Sequence, residues 1–454
     1  MTKLGGKTSM IDMTKGNAYR LIIAFSVPML IGNIFQQLYN MVDSIVVGNW
    51  VGAKALAAVG TGFPIIFMFT SLFMGIAAGA TVMISQFYGA KNFKGVSKTV
   101  STIYSAMIIG IIPLSIIGAV CSGPLLHLMN VPNDGTFQMA NTYMIVIFVG
   151  MIGTLGFNIN AGIMQGFGDS KTSLLFLMIA CVINIVLDLL FTVVFNMGVF
   201  GVAVATVISQ IASWIFGIFH INKHYSFIHI NLFKFEFDKP LFAQAMKLGI
   251  PSGIQQALFA LGTMAIQGLV NSYGSSFMAG FNGANKIDTF AFMPIQSFSM
   301  AATTYTGQNV GANNMHRVHD GLKAGMILSG GTAIVMSVLT FFPADYLMQM
   351  FSRDADVIAA GVSYLKCVLP AYFILAIGLT INATLSGAGR MTVPMITSFI
   401  ALLLVRIPSA YLIAHFVGKD YMFLSYGISW IAIVIISGGY YATGRWKKGR
   451  IVSE

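Results

Sequence analysis

Asn184 and Asp188 stand four residues apart in the apolar run from Leu174 to Val194. A helix puts residues at that spacing on one face. An ionised side chain at the centre of a bilayer costs roughly 2.5–3.5 kcal/mol on insertion scales, so such an acid turns toward a protein interior or a watery cavity and marks a candidate site. Two more polar residues reach a similar depth. The turn after this run centres near residues 197–199, with Asp188 about ten residues before it and Thr206 about eight after, which sets both roughly 12–15 Å below that surface. Asp43 precedes the turn at Val51-Gly52 by about eight residues, on the same side, and Asn184 lies about one turn deeper. Two carboxylates, an amide and a hydroxyl make an oxygen-rich set suited to Na⁺ or to shared protons, which could power a transporter. Bland readings stay open beside this one. Asp43 could cap or snorkel at a helix end, Asp188 could bond a neighbouring helix, and Thr206 could bond its own backbone.

These residues need helices to hold them, and the composition provides little else. The chain of 454 residues is 56% apolar and only 9% charged, the signature of a polytopic membrane protein. Twelve spans are expected, at 20–48, 55–86, 100–122, 137–165, 173–196, 199–221, 242–272, 277–307, 321–342, 357–386, 392–416 and 422–443. Residues 1–16 lack the pattern of a signal peptide, so the first span is expected to direct insertion. The net charge of +11 reads as a topology signal rather than as an affinity for nucleic acid. Lys91, Lys94 and Lys98, then Lys223, Lys234 and Lys239, then Arg445, Lys447, Lys448 and Arg450 occupy alternate loops and the C-terminal end. The intervening loops carry Asp134, Asp345, Asp354 and Asp356. The positive-inside rule then sets both termini in the cytoplasm. Cys121, Cys181 and Cys367 lie in apolar runs without metal-ligand spacing and read as small hydrophobes.

The chain also repeats itself. Thr81, Gln86, Gly89, Ala90 and Asn92 recur as Thr303, Gln308, Gly311, Ala312 and Asn314, each pair 222 positions apart. Ile159-Asn160-Ala161 recurs at Ile381-Asn382-Ala383 with the same shift, and Gly166-x-Gly168 at Gly387-x-Gly389 with a shift of 221. The expected fold is an all-α integral membrane protein of twelve transmembrane helices in two pseudo-symmetric six-helix bundles with a central cleft, the parallel repeats related by an axis along the membrane normal. The expected parts are a cytoplasmic segment 1–19, an N-lobe 20–221, a cytoplasmic linker 222–241, a C-lobe 242–443 and a basic tail 444–454. The acids are not repeated: the shift of 222 carries Asn184, Asp188 and Asp43 onto Arg406, Ala410 and Ala265.

Other polar residues lie in the spans. Lys286 and Asp288 are two apart on one helix and so need different partners. With Arg406 they read either as structural pairs or as substrate or gating residues. Lys366 reads as a snorkelling cation. Asn158 and Asn160 read as interhelical ties or as cleft residues, and Gln36, Asn40, Met293 and Gln296 are further cleft candidates. The 29 Met and 36 Phe residues suit an adaptable apolar binding surface as well as ordinary packing. Pro28, Pro64, Pro251, Pro294 and Pro408 are candidate kinks or hinges. No His/Glu metal motif, no nucleophile with a nearby base and no nucleotide loop stands out, so an enzyme is not expected.

Pro28, Gln36-Gln37-x-Tyr39-Asn40-x2-Asp43, Val47-Gly48, Gly52 and Leu56-Ala57-Ala58-Val59-Gly60 resemble the opening of the multidrug and toxic compound extrusion (MATE) family. Gln86-x2-Gly89-Ala90 and Gly166-x-Gly168-Asp169 fit its loops. The resemblance covers all twelve spans. It implies two six-helix lobes and the export of organic cations in exchange for Na⁺ or H⁺. One branch carries an essential acid on the seventh span, about eight residues after its proline; here Pro251 leads to Phe259. The chain looks more like the branch named for a DNA-damage-inducible protein, whose N-lobe cation site maps onto Asp43, Asn184, Asp188 and Thr206. The resulting expectation is an antiporter, by alternating access, for amphiphilic and often cationic molecules. It would have no cofactor beyond the coupling ion, no nucleic-acid partner and a monomeric state, in a bacterial plasma membrane. The alternatives are a flippase for a lipid-linked saccharide, a specific metabolite exporter and, less compatible with a duplicated two-lobe chain, a channel.

Overall fold

The computed structural model describes residues 10–129, 131–132 and 134–451. The ends of the expected terminal segments, 1–9 and 452–454, lie outside the described residues. The described chain is helical, in the order α1 (Ala18–Val46), α2 (Ala53–Gly89), α3 (Phe93–Leu128), α4 (Thr136–Val149), α5 (Met151–Gly166), α6 (Ser170–Leu189), α7 (Gly198–His224) and α8 (Lys239–Asn271). There follow α9 (Ser275–Gly311), α10 (Met315–Phe341), α11 (Ala344–Gln349), α12 (Ala355–Val368), α13 (Tyr372–Gly387), α14 (Thr392–Phe399), α15 (Ile407–Phe416) and α16 (Leu424–Ala442).

Among the described residues ten helical stretches are long and apolar enough to cross a membrane. An eleventh is the pair α4–α5, bent by 52° at Gly150, where the sequence suggested one continuous span. Gly150 sits at the break, where a Cβ would collide with Val207 of α7. The expected eighth span is α9, 37 residues long, which carries Asn282, Asn285, Lys286 and Asp288 and is less apolar than the others. The protein is a multi-pass membrane protein.

Three stretches widen into π-helix: Val47–Val51 after α1, Leu190–Val194 after α6, and Ile400–Arg406 between α14 and α15. Such turns are rare and concentrate at functional sites. Each adjoins or contains an intramembrane ionisable residue: Asp43, Asp188 or Arg406.

The described residues divide into two compact units, one spanning 31–253 with 10–11 and the other 12–30 with 254–451. Apart from the one between Ile11 and Asp12, the divisions fall inside α1 and α8, three residues beyond Pro28 and Pro251, which lack the N–H that the helical ladder needs. The two units carry the same backbone devices. Gly52 and Gly274 open α2 and α9 with φ of 113° and 98°, and Lys91 and Asn313 both turn the chain at φ 57°. Gly168 and Gly389 turn it again at 79° and 80°. Inside each unit a glycine lets two helices touch. A Cβ on Gly166 would lie 3.0 Å from the Thr81 carbonyl oxygen, and one on Gly387 would strike the carbonyl oxygen of the matching Thr303. The repeat seen in the sequence is therefore a repeat of contacts.

Overpacking a close-packed interior costs about 1–3 kcal/mol, so Gly387→Val should lower the melting temperature of the purified protein. Gly331→Ala in α10, where a Cβ meets nothing within 4 Å, should hold or gain up to about 1 kcal/mol from helix propensity. Equal melting of the two variants would contradict this reading of the contacts.

Candidate functional site

The first unit brings the end of α1 against α6 and α7. Val47, just past α1, packs with Ala55, Val199 and Val202, which draws the last turns of α1 to the start of α7. Asn184 and Asp188 project from one face of α6 and are fully buried. A carboxylate only accepts hydrogen bonds, so the Asn184 amide is satisfied when its nitrogen faces the acids. That nitrogen then donates to Asp43 Oδ1 at 2.9 Å and to Asp188 Oδ2 at 3.0 Å. The other amide atom lies 3.5 Å from Thr206 Oγ1. Thr206 also donates to the Val202 carbonyl at 3.1 Å, so its hydroxyl is held by its own helix while it faces the site. Asp188 Oδ1 is buried with no hydrogen-bond partner among the described residues.

One amide thus bridges two carboxylates contributed by two helices, and the two carboxyls lie within hydrogen-bonding reach of each other. Two residues join the site that sequence reasoning did not place there. The buried Tyr39 hydroxyl is within reach of both Asp43 and Thr206, and Tyr143 is close enough to interact electrostatically with both acids. Tyr39 could have been found: it precedes Asp43 by four residues and shares its face. Nothing in the local pattern around Tyr143 points to the site. The donors offered are all oxygens apart from the amide nitrogen. The unpartnered Oδ1 is the atom that a proton or a small hard cation would satisfy.

The other candidates are placed elsewhere. Asn40 bonds Gln37 at 3.3 Å and is exposed, and Gln36 is half-buried on the same helix. Asn158 donates to the Thr154 carbonyl of its own helix at 2.7 Å. Asn160 is a tie between helices: it accepts from Tyr104 of α3 and donates to the Trp214 carbonyl of α7 at 2.9 Å. In the second unit Lys286 and Gln296 are exposed and Met293 is buried. Asp288 accepts from Tyr372. Arg406 is 5% exposed, donates from Nε to Ser429 at 3.0 Å and lies 4.2 Å over the Tyr426 ring. A desolvated cation over an aromatic face is worth about 2 kcal/mol or more, which offsets part of the cost of burying an arginine without an ion pair among the described residues. Lys366 pairs with Asp345 at 3.6 Å.

The bridge has a measurable consequence. Asn184→Leu removes the donor shared by two buried acids and should destabilise the purified protein by about 1–3 kcal/mol. Asp188→Asn removes a carboxylate with an unpartnered oxygen and should melt at or above the wild-type temperature. Thermal unfolding of both variants in detergent checks this, and the reverse order would contradict the proposed bridge.

Comparison with known proteins agrees with this architecture. The family model described as MatE matches residues 28–190 and 251–412, one match in each half of the chain. The probable multidrug resistance protein YpnP of Bacillus subtilis (strain 168) is 30% identical over 98% of this chain and 99% of its own length. The probable multidrug resistance protein NorM of Thermotoga maritima is 26% identical over 95% of this chain and 94% of its own. A solved structure, the outward-facing conformation of a multidrug resistance MATE family transporter of the MOP superfamily, has the same fold. It covers 98% of this chain and 100% of that one, with a TM-score of 0.89 at 22% identity. The matched family model and the full-length relatives make this chain a member of the MatE family of membrane transporters.

Proposed function

We propose that this protein is a cation-coupled antiporter that expels amphiphilic, often cationic organic molecules, and that Asp43, Asn184, Asp188 and Thr206 hold the coupling H⁺ or Na⁺. The observation that carries the reading is the buried, unpartnered Oδ1 of Asp188 beside a second carboxyl on the same amide donor. Two neighbouring carboxylates repel, and a bound proton or Na⁺ relieves that repulsion. The names of the relatives, as multidrug resistance proteins, support the substrate class. Placing the acids in the first half, with Phe259 where another branch has an acid, favours the DNA-damage-inducible branch.

The coupling follows from differential binding. The ion drives a change of facing state only to the extent that it binds one state more tightly. Moving a two-state equilibrium from 1:99 to 99:1 needs about 5.5 kcal/mol of such preference. The bridge offers a way to supply it, because separating α1 from α6 would divide the two carboxylates and leave the Asn184 donor with one partner. Exchange of one monovalent ion for one monovalent organic cation moves no net charge. The ion concentration gradient then does the work and the membrane potential does not. A second ion per cycle would add about 2.3 kcal/mol per 100 mV.

The test is export of a fluorescent organic cation from proteoliposomes under an imposed Na⁺ gradient and, separately, a pH gradient. One of the two should drive export, and folded Asp188→Asn should lose at least about tenfold of the rate, equal to 1.4 kcal/mol. Undiminished transport by the variant, or no response to either gradient, would overturn the assignment and favour a flippase for a lipid-linked saccharide or a specific metabolite exporter.

A further inference from the structure

The connector between α7 and α8 has a second feature that the transport site does not use. It is tied at both ends to the first unit. Asn222 exchanges two hydrogen bonds with Ile230, at 2.9 and 2.7 Å, and further on the Asp238 amide donates to Thr102 of α3 at 3.2 Å. Ser105 of α3 donates to the Glu236 carbonyl at 3.2 Å. Between the ties the chain bridges a cavity of about 220 Å³. One wall is Ser97, Ser101 and Ser105, which share a face of α3 at four-residue spacing; the other carries His229, Lys234 and Glu236. Lys234 and Glu236 pair at 2.6 Å while both stay largely exposed. A neighbouring cavity of about 330 Å³ shares Glu236 and adds Lys98 and Asp238. Both signs of charge therefore line the same recess.

Alternate residues of the same connector are bare aromatics. Phe233 is 93% exposed, Phe235 58% and Phe237 49%. Three exposed phenylalanines within five residues are out of place in water, but the connector joins two membrane-length helices and so runs at the edge of the bilayer. We propose that this recess binds the zwitterionic, primary-amine head group of a membrane phospholipid, with its acyl chains lying along Phe233, Phe235 and Phe237. The phosphate is taken by Ser97 with Lys234 and His229, and the ammonium by Glu236, whose carboxylate already accepts from Ser101; the two ends of the head group replace the Lys234–Glu236 pair. A purely anionic head group would confront Glu236, and a purely cationic one Lys234. Tyr104 also lines the cavity, so the bound head group rests on the Tyr104–Asn160–Trp214 tie that joins α3, α5 and α7.

The test is native mass spectrometry of the full-length protein in detergent, titrated with phosphatidylethanolamine, phosphatidylcholine and phosphatidylglycerol of identical acyl chains. The wild type should retain phosphatidylethanolamine best. Glu236→Gln, an exposed change that leaves the fold intact, should cut that retention about fivefold, the scale of one exposed charge pair, and leave phosphatidylglycerol unchanged. Ser101→Leu should fill the cavity and remove the preference, and soluble glycerophosphoethanolamine should fail to displace the lipid. Equal retention of the three lipids by the wild type, or unchanged phosphatidylethanolamine retention by Glu236→Gln, would overturn the proposal. Displacement by the soluble head group would overturn the role given to the phenylalanines.

Discussion

The Asn184 amide is the point on which the site depends. It is fully buried, and its nitrogen serves carboxylates from two helices at 2.9 and 3.0 Å. An amide has two N–H donors, and here both are committed to acids. That leaves Asp188 Oδ1 with no donor unless a proton is shared with the neighbouring Asp43 carboxyl, and in a low-dielectric interior a buried acceptor without a donor forfeits about 1–3 kcal/mol. The flanking π-helical turns at Val47–Val51 and Leu190–Val194 fit the same picture, because each leaves the helix next to an acid with a looser backbone ladder.

The duplication shows how one scaffold carries different polar chemistry. The turns at Gly52 and Gly274, the left-handed Lys91 and Asn313, and the paired contacts of Gly166 with Thr81 and Gly387 with Thr303 recur because helix packing demands them. The buried charges do not recur. Where the first unit has Asn184, the second has Arg406, held by Ser429 and the Tyr426 ring rather than by a carboxylate contact. Its acid, Asp288, bonds Tyr372 instead. Backbone devices are fixed by geometry and survive duplication, while polar side chains in a membrane interior persist only where something partners or uses them.

Much of this was legible before any coordinates. The helical rise puts Asp43 and Thr206 at the level of Asp188, the four-residue spacing puts Asn184 on the same face about one turn deeper, and the structure brings the four together. The expected repeat is present as repeated turns and contacts, and the MATE resemblance holds at the level of the family. Other features were hidden for physical reasons. The bend falls at Gly150, where Val207 on another helix leaves no room for a Cβ, a contact that no local pattern reveals. Asn160 looked as suited to a cleft as to a tie, because the role of an amide is set by its partners, here Tyr104 and Trp214. Tyr143 reaches the acids only through tertiary packing. Helix rotation, which the sequence leaves open, is what turned a shared level into a shared hydrogen-bond donor.

The central claim is that Asp43 and Asp188 act as one site. The most direct measurement is binding of the coupling cation to purified protein, as Na⁺ uptake or as proton release, through a double-mutant cycle of Asp43→Asn and Asp188→Asn. If the carboxyls share one occupant, each single substitution should remove nearly as much binding free energy as the pair does, a strongly non-additive result. Independent, additive losses would mean that the two acids serve separate purposes and would contradict the account.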